Sequence, residues 1–291
     1  MIKKRLINNA KKIDKFLINY LKKQDNSLLI KPMKYGVISG GKKIRSTLIL
    51  DAGKIYNLSE KKLINICASV ECIHSYSLIH DDLPCMDDDK MRRGKPSTHL
   101  KFGEASAVLA GNSLLTLAFE IIANDRYLIN PVMKNEITKS LAFCSGHTGV
   151  AGGQELDLKF ENKKKSFQQI IDMQKKKTGK LFSFCLYAVG VVANKDKKEK
   201  NSLKNLGEEI GLLFQLADDF LDIKGSKKLV GKLIKKDNKK GKSTLVSLMG
   251  YEKAHNYANN LKKKILLKLK KHGKKAKDLS DTIEFILGRN F

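Results

Sequence analysis

The sequence predicts an all-α protein, a single helical bundle spanning residues 1–291. Apolar residues recur at three- and four-residue spacing along almost the whole chain, and no stretch alternates as a half-buried strand does. The four prolines, at 32, 84, 96 and 131, fall between the periodic segments or at their ends, as helix breakers should. No repeat of fixed period and no flexible linker divides the chain. With 291 residues, 42% of them hydrophobic, the chain buries enough surface to fold without disulfides or a structural metal. That content excludes a disordered chain, and so few prolines exclude a collagen-like one.

The first periodic segment, 2–23, is basic and amphipathic like a transit peptide. It carries Asp14 and no evident cleavage site, so a first surface helix is expected. Helices follow at 41–56, 60–82, 103–124, 131–150, 166–192, 197–222, 251–271 and 278–288, with Lys177-Thr178-Gly179 marking a kink inside the sixth. The nearly apolar run Leu181 to Ala193 is too short to span a bilayer and reads as a buried core helix, so no transmembrane segment is expected. The Gly/Lys-rich stretch from Lys224 to Lys242 reads as a mobile surface loop.

Lys and Arg number 57 against 30 Asp and Glu, a net charge of +27. Such an excess can mark a nucleic-acid binder or a membrane-surface protein. Here it is mostly lysine in short scattered runs, with little arginine to read bases or phosphates, so a solvated basic surface is expected and no nucleic-acid partner. The five cysteines form no C-x-x-C pair, and four sit in apolar helical stretches. An odd count without a signal peptide predicts reduced thiols in a cytoplasmic protein.

The chemistry concentrates in two acid clusters. Along 60–82, Leu63, Ile66, Val70, Ile73 and Ser77 step by three or four residues, and the next step lands on Asp81. His74 lies two turns earlier on nearly the same face. Then come Asp81-Asp82-Leu83-Pro84-Cys85-Met86-Asp87-Asp88-Asp89, where Pro84 disturbs the helix and lets Asp87 curl back toward the first pair. Five acids within nine residues repel one another unless a cation neutralises them. Oxygen ligands of this kind suit Mg²⁺ shared with a phosphate-bearing substrate. Along 197–222 a polar stripe of Glu208, Gly211, Gln215, Asp218 and Asp222 runs beside an apolar one, with Asp219 flanking. The two clusters read as opposed walls of one metal-filled cavity.

Basic partners accompany the acids. Gly40-Gly41-Lys42-Lys43-Ile44-Arg45 opens a helix, where free N–H groups and the helix dipole favour anions. Arg92-Arg93-Gly94 follows the first cluster, Lys177-Thr178 sits at the kink, and Lys232 and Lys242 lie after the second cluster.

The ordered set resembles the trans-prenyltransferase family, the short-chain polyprenyl diphosphate synthases, over nearly the whole chain. The first aspartate-rich motif stands as Asp81-Asp82-x4-Asp87 with Arg92-Arg93-Gly94, and the second as Gln215-x-x-Asp218-Asp219-x-x-Asp222. Between them fall Phe102-Gly103-Glu104-Ala105, Gly153-Gln154-x-x-Asp157-Leu158 and Lys177-Thr178-Gly179, in family order. The resemblance implies a fold of the isoprenoid synthase type around a deep central cavity, Mg²⁺ dependence with several ions, and a homodimer.

It also implies the chemistry. Asp81, Asp82, Asp87, Asp218, Asp219 and Asp222 form the metal set, and Asp81, Asp82, Asp87, Asp218 and Lys177 carry catalysis. Arg92, Lys177, Thr178, Gln215, Lys232 and Lys242 surround an allylic diphosphate, while Lys42, Arg45, His74 and Arg93 hold isopentenyl diphosphate. Tyr76, five residues before Asp81, sits roughly 7.5 Å deeper along the helix as a floor that limits product length. An aromatic there, with the D-D-x4-D spacing, implies the bacterial farnesyl type, with a geranylgeranyl product as the alternative.

The chain departs from the family in places. Asn112 stands where Asp is usual, Ser46 where proline is common, Leu245-Val246 replaces Tyr-Pro, and Arg289-Asn290-Phe291 lacks the frequent terminal basic residue. A phosphohydrolase built on His74, His80 and Asp81 would need a further histidine well before His74, and the sequence has none. The remaining rivals are a non-catalytic partner subunit and a basic nucleic-acid-binding helical protein.

Overall fold

The computed structural model describes every residue except 1, 25–26, 39, 129, 229–243 and 290–291, with no side chain described over 224–228. The fold is all-α, as the periodicity predicts. Helices and turns gather into two compact units, Met1–Leu141 with Val191–Asn194, and Ala142–Gly190 with Lys195–Phe291.

The first unit contains α1 (Ile2–Leu21), α2 (Ile30–Val37), α3 (Ile44–Ile55), α4 (Ile64–Asp81), α5 (Thr98–Phe102) and α6 (Glu104–Ala123). α4 is its axis, packed on α1, α2 and α3 and most extensively on α6. Its Ile66, Val70 and Ile73 are fully buried, as is expected of a helix that is apolar on all sides. α1 instead buries one stripe, Leu6, Ile13, Leu17 and Leu21, and leaves its lysines outside. α6 is long and apolar enough to cross a membrane, a test that core helices also pass. Its Ala107, Ala110, Leu114, Leu117, Ala118 and Ile121 are buried, while Val108 and Leu109 lie open.

The second unit carries the end of α7 (Pro131–Ser145), then α8 (Val150–Phe160), α9 (Phe167–Gln174), a π-helical turn (Lys175–Gly179) and α10 (Lys180–Val192). After it come α11 (Lys197–Lys228), α12 (Leu245–Met249), α13 (Tyr251–Leu269), a 3₁₀ segment (Lys270–Ala276) and α14 (Lys277–Gly288). α9 opens with a capping box, Ser166 accepting from the Gln169 N–H while the Gln169 side chain returns to Ser166. Leu181, Phe182 and Phe184 are buried, so the apolar run 181–193 is a core helix as expected.

Several elements differ from the sequence reading. α2, α5, α12 and a two-residue antiparallel hairpin, β1 (Met91–Arg92) with β2 (Lys95–Pro96), are too short to leave a periodic signal. The helix expected at 131–150 stops at Ser145, and a further helix, α8, which the sequence reading did not give, starts at Val150; the chain folds sharply between them at Gly149, where a Cβ would lie 1.9 Å from the Cys144 carbonyl oxygen. α11 runs on to Lys228, so the stretch beginning at Lys224 starts as helix rather than loop. Residues 229–243, with Lys232 and Lys242, lie outside the described residues.

Candidate active site

The first acid cluster forms where α4 stops. Beyond Asp81 the chain turns on itself, the Leu83 N–H reaching the His80 carbonyl and the Asp87 N–H the Asp81 carbonyl at 2.8 Å. Asp88 takes the left-handed region, φ +47°. Pro84 therefore does what the sequence predicts and folds Asp87 back onto Asp81. The Arg92 side chain donates from Nε to both Asp82 oxygens at 3.1 and 3.2 Å, adds an Nη2 contact to Asp82, and reaches Asp89 at 3.3 Å. Burial raises the Asp82 carboxyl above its ordinary range, against the pull of Arg92. Arg92, expected as a substrate clamp, is here also a counter-ion of the acid cluster. Tyr76 is buried, edge-on to the His80 ring, and burial with the nearby Asp81 charge pushes its hydroxyl up to about 12.

The predicted isopentenyl diphosphate set lies in the same unit. Lys42 is exposed, Arg45 is buried, and the Arg93 guanidinium lies over Gly41, where an added Cβ would stand 2.6 Å from its Cζ. His74 is half-buried and neutral. Burial holds its pKa well below 6.5, helped by Arg45, Arg93, Lys43 and Arg92. Those influences place three of the predicted residues, Arg45, His74 and Arg93, in one electrostatic neighbourhood.

The second acid cluster lies on α11. Its polar stripe does not face solvent as one row. Glu208 takes Lys180 at 2.6 Å, a Cβ on Gly211 would meet Gly179 at 2.7 Å, and Gln215 Oε1 accepts from the Thr178 hydroxyl at 2.9 Å. The π-helical turn aims these groups: by widening one turn it points Lys177 at Asp157, 2.6 Å away, and Thr178 at Gln215. Asp219 is turned inward and receives the Gln174 and Gln215 amides, apart from the open position of Asp222. Asp218 accepts from the Arg289 guanidinium at 2.7 Å, which also donates to the Phe214 carbonyl and lies 4.0 Å over the Phe214 ring.

The sequence reading gave no role to two of these residues. Asp157 stands inside a quoted motif but shows its partner only once the π-helical turn is formed. Arg289 lies 71 residues from Asp218 and has no spacing to betray it.

Among the described residues no three acid, histidine or cysteine side chains form a ready-made metal cage. The donor set nevertheless fits Mg²⁺, which takes one or two carboxylates and completes its shell with water and substrate phosphate. Each cluster already accepts a cation, Arg92 at Asp82 and Arg289 at Asp218.

Comparison with known proteins gives a consistent picture. The family model described as polyprenyl synthetase matches residues 26–284. A farnesyl diphosphate synthase of Bacillus subtilis is 39% identical over 251 residues, covering 86% of this chain and 85% of that protein. The apo structure of an FPP/GFPP synthase from Zymomonas mobilis superposes with a TM-score of 0.89 at 35% identity, covering 98% of each chain. A geranyltransferase of Helicobacter pylori, solved with magnesium and isoprenyl diphosphate, gives 0.81 at 32% identity over 99% of this chain and 96% of that one.

Proposed function

The chain belongs to the polyprenyl synthetase family, and from that premise we propose that it condenses isopentenyl diphosphate with dimethylallyl and geranyl diphosphates to make farnesyl diphosphate. The observation that carries the reading is the pair of aspartate clusters, each paired with an arginine, Arg92 at Asp82 and Arg289 at Asp218.

Asp81, Asp82 and Asp87 of the first cluster, and Asp218 and Asp222 of the second, would hold several Mg²⁺ ions. Bound Mg²⁺ would neutralise charge on the leaving diphosphate. Lys177, Thr178, Gln215 and Arg92, with Lys232 and Lys242, supply donors for the same group. As the allylic C–O bond breaks, this fixed positive field stabilises the departing diphosphate and so the allylic cation. Lys42, Arg45, Arg93 and neutral His74 hold isopentenyl diphosphate, whose double bond attacks the cation and forms the new C–C bond. The proton then lost from the adduct passes to the departed diphosphate, so no protein base is required. The five cysteines, none of them disulfide-bonded, accord with our assignment to the cytoplasm.

The test is incubation of the purified protein with isopentenyl diphosphate and each allylic starter, with Mg²⁺ and with a chelator, reading product mass. A fifteen-carbon product that disappears with the chelator is expected. A twenty-carbon product would keep the transfer and replace farnesyl by geranylgeranyl diphosphate. No product, with both substrates bound, would leave a partner subunit. Tyr76, at 8% exposure, is the proposed floor. Tyr76→Ala should lengthen the products, and an unchanged product profile would remove that role.

A further inference from the structure

The predicted isopentenyl diphosphate set is all basic or neutral, yet two carboxylates sit directly behind it. Lys43 takes the left-handed region at φ +47°, with its side chain buried, and begins α3. Its Nζ donates to the Val37 carbonyl at 2.5 Å and lies 3.5 Å from Asp14 and 3.9 Å from Glu71. Glu71 is buried on α4, and its Oε1 accepts from the Ser46 hydroxyl at 2.7 Å and the Ser46 N–H at 3.3 Å. Ser46 is the third residue of α3, so Glu71 places a negative charge on an N–H at the helix start. A proline at 46, common in the family, could offer neither donor.

We propose that Glu71 and Asp14 are positioning residues for isopentenyl diphosphate, acting through Lys43; the proposal rests on the prenyl-transfer reading. With Lys43 drawn inward, the left-handed turn is fixed, and its neighbour Lys42 is left on the open face beside Gly41 and the Arg93 guanidinium. The same two carboxylates attract Arg93, which allows Lys43, Arg45, Arg92 and Arg93 to crowd around a neutral His74.

The experiment measures the Kd of isopentenyl diphosphate alone by calorimetry, together with KM for each substrate and kcat. Glu71→Gln keeps the size of the side chain and removes its charge. It should weaken isopentenyl diphosphate binding about tenfold, the effect of losing roughly 1.4 kcal/mol. KM for the allylic substrate and kcat should stay near wild type. Lys43→Gln should do the same, and the double variant should lose less than the sum of the two single losses, because the two share a contact. Asp14→Asn should shift the same constant in the same direction, and carries the test should Glu71→Gln not fold. An unchanged Kd in the folded variants, an equal rise in both KM values, or additive losses would overturn the proposal. A wild-type protein that binds isopentenyl diphosphate but makes no product would overturn the prenyl-transfer reading instead. One that does not bind it would overturn both.

Discussion

Asp82 and Asp218 each hold a guanidinium, and that pairing offsets part of the charge the two clusters carry. Arg92 bridges Asp82 and Asp89, and Arg289 covers Asp218 with a guanidinium that is itself almost buried. Removing Asp81 or Asp218 removes a cation-binding oxygen, and removing Asp218 also leaves the almost buried Arg289 without its carboxylate partner. Asp81→Ala and Asp218→Ala are therefore each expected to lower kcat by on the order of 10²–10³, the scale of losing one preorganised group that stabilises developing charge. Steady-state kinetics at saturating Mg²⁺ measures this, and near-wild-type turnover in either variant would sink the metal assignment. At this scale the sequence is most legible where spacing alone decides. Pro84 breaks α4 and Asp87 returns to Asp81. Where partners come from distant segments it is not: four-residue spacing aligns Asp218 with Asp222, but nothing in it foretells Arg289.

At the level of elements, the π-helical turn between α9 and α10 connects sequence to site. Lys177-Thr178-Gly179 shows in the sequence as an interruption, but its use depends on how closely α8 and α11 approach it. A Cβ on Gly153 would lie 2.1 Å from the Lys177 nitrogen, so α8 reaches the turn only because residue 153 is glycine. Gly153→Ala must displace the backbone that carries Lys177 and Thr178. It is expected to cost about 1–3 kcal/mol of stability, the scale of overpacking a core, and to lower kcat beyond what the lost folded fraction accounts for. Gly288→Ala is the control, since a Cβ there meets nothing within 4 Å. Denaturant unfolding with kinetics on the folded protein separates the two effects, and a Gly153→Ala enzyme with normal kcat would show that the turn's exact course does not matter. Long periodic helices such as α1, α4 and α11 were readable for the same physical reason that made α2, α5 and α12 invisible. An apolar stripe needs several turns to declare itself.

For the whole molecule, α6 leaves the largest question of packing. Half of this apolar helix closes on α4, while Val108 and Leu109 are 39% and 50% exposed, with Leu100 of α5 at 54%. A helix that is apolar on both faces is ordinarily buried on both, and contiguous exposed apolar surface marks a binding face. The homodimer proposed from family resemblance would cover it with a second copy. The strongly basic chain, +27 overall, repels like copies, so association of two copies would come from apolar burial rather than charge. Leu109→Glu, which places a carboxylate in the middle of that face, should convert the dimer to a monomer while leaving the helix content unchanged. Light scattering after size exclusion reads the mass, and circular dichroism checks the fold. Raising the salt should screen the mutual repulsion and strengthen the wild-type dimer, the opposite of what an assembly held by ion pairs would do. A wild-type protein that runs as a monomer, or a Leu109→Glu protein that stays dimeric, would move the interface off α6.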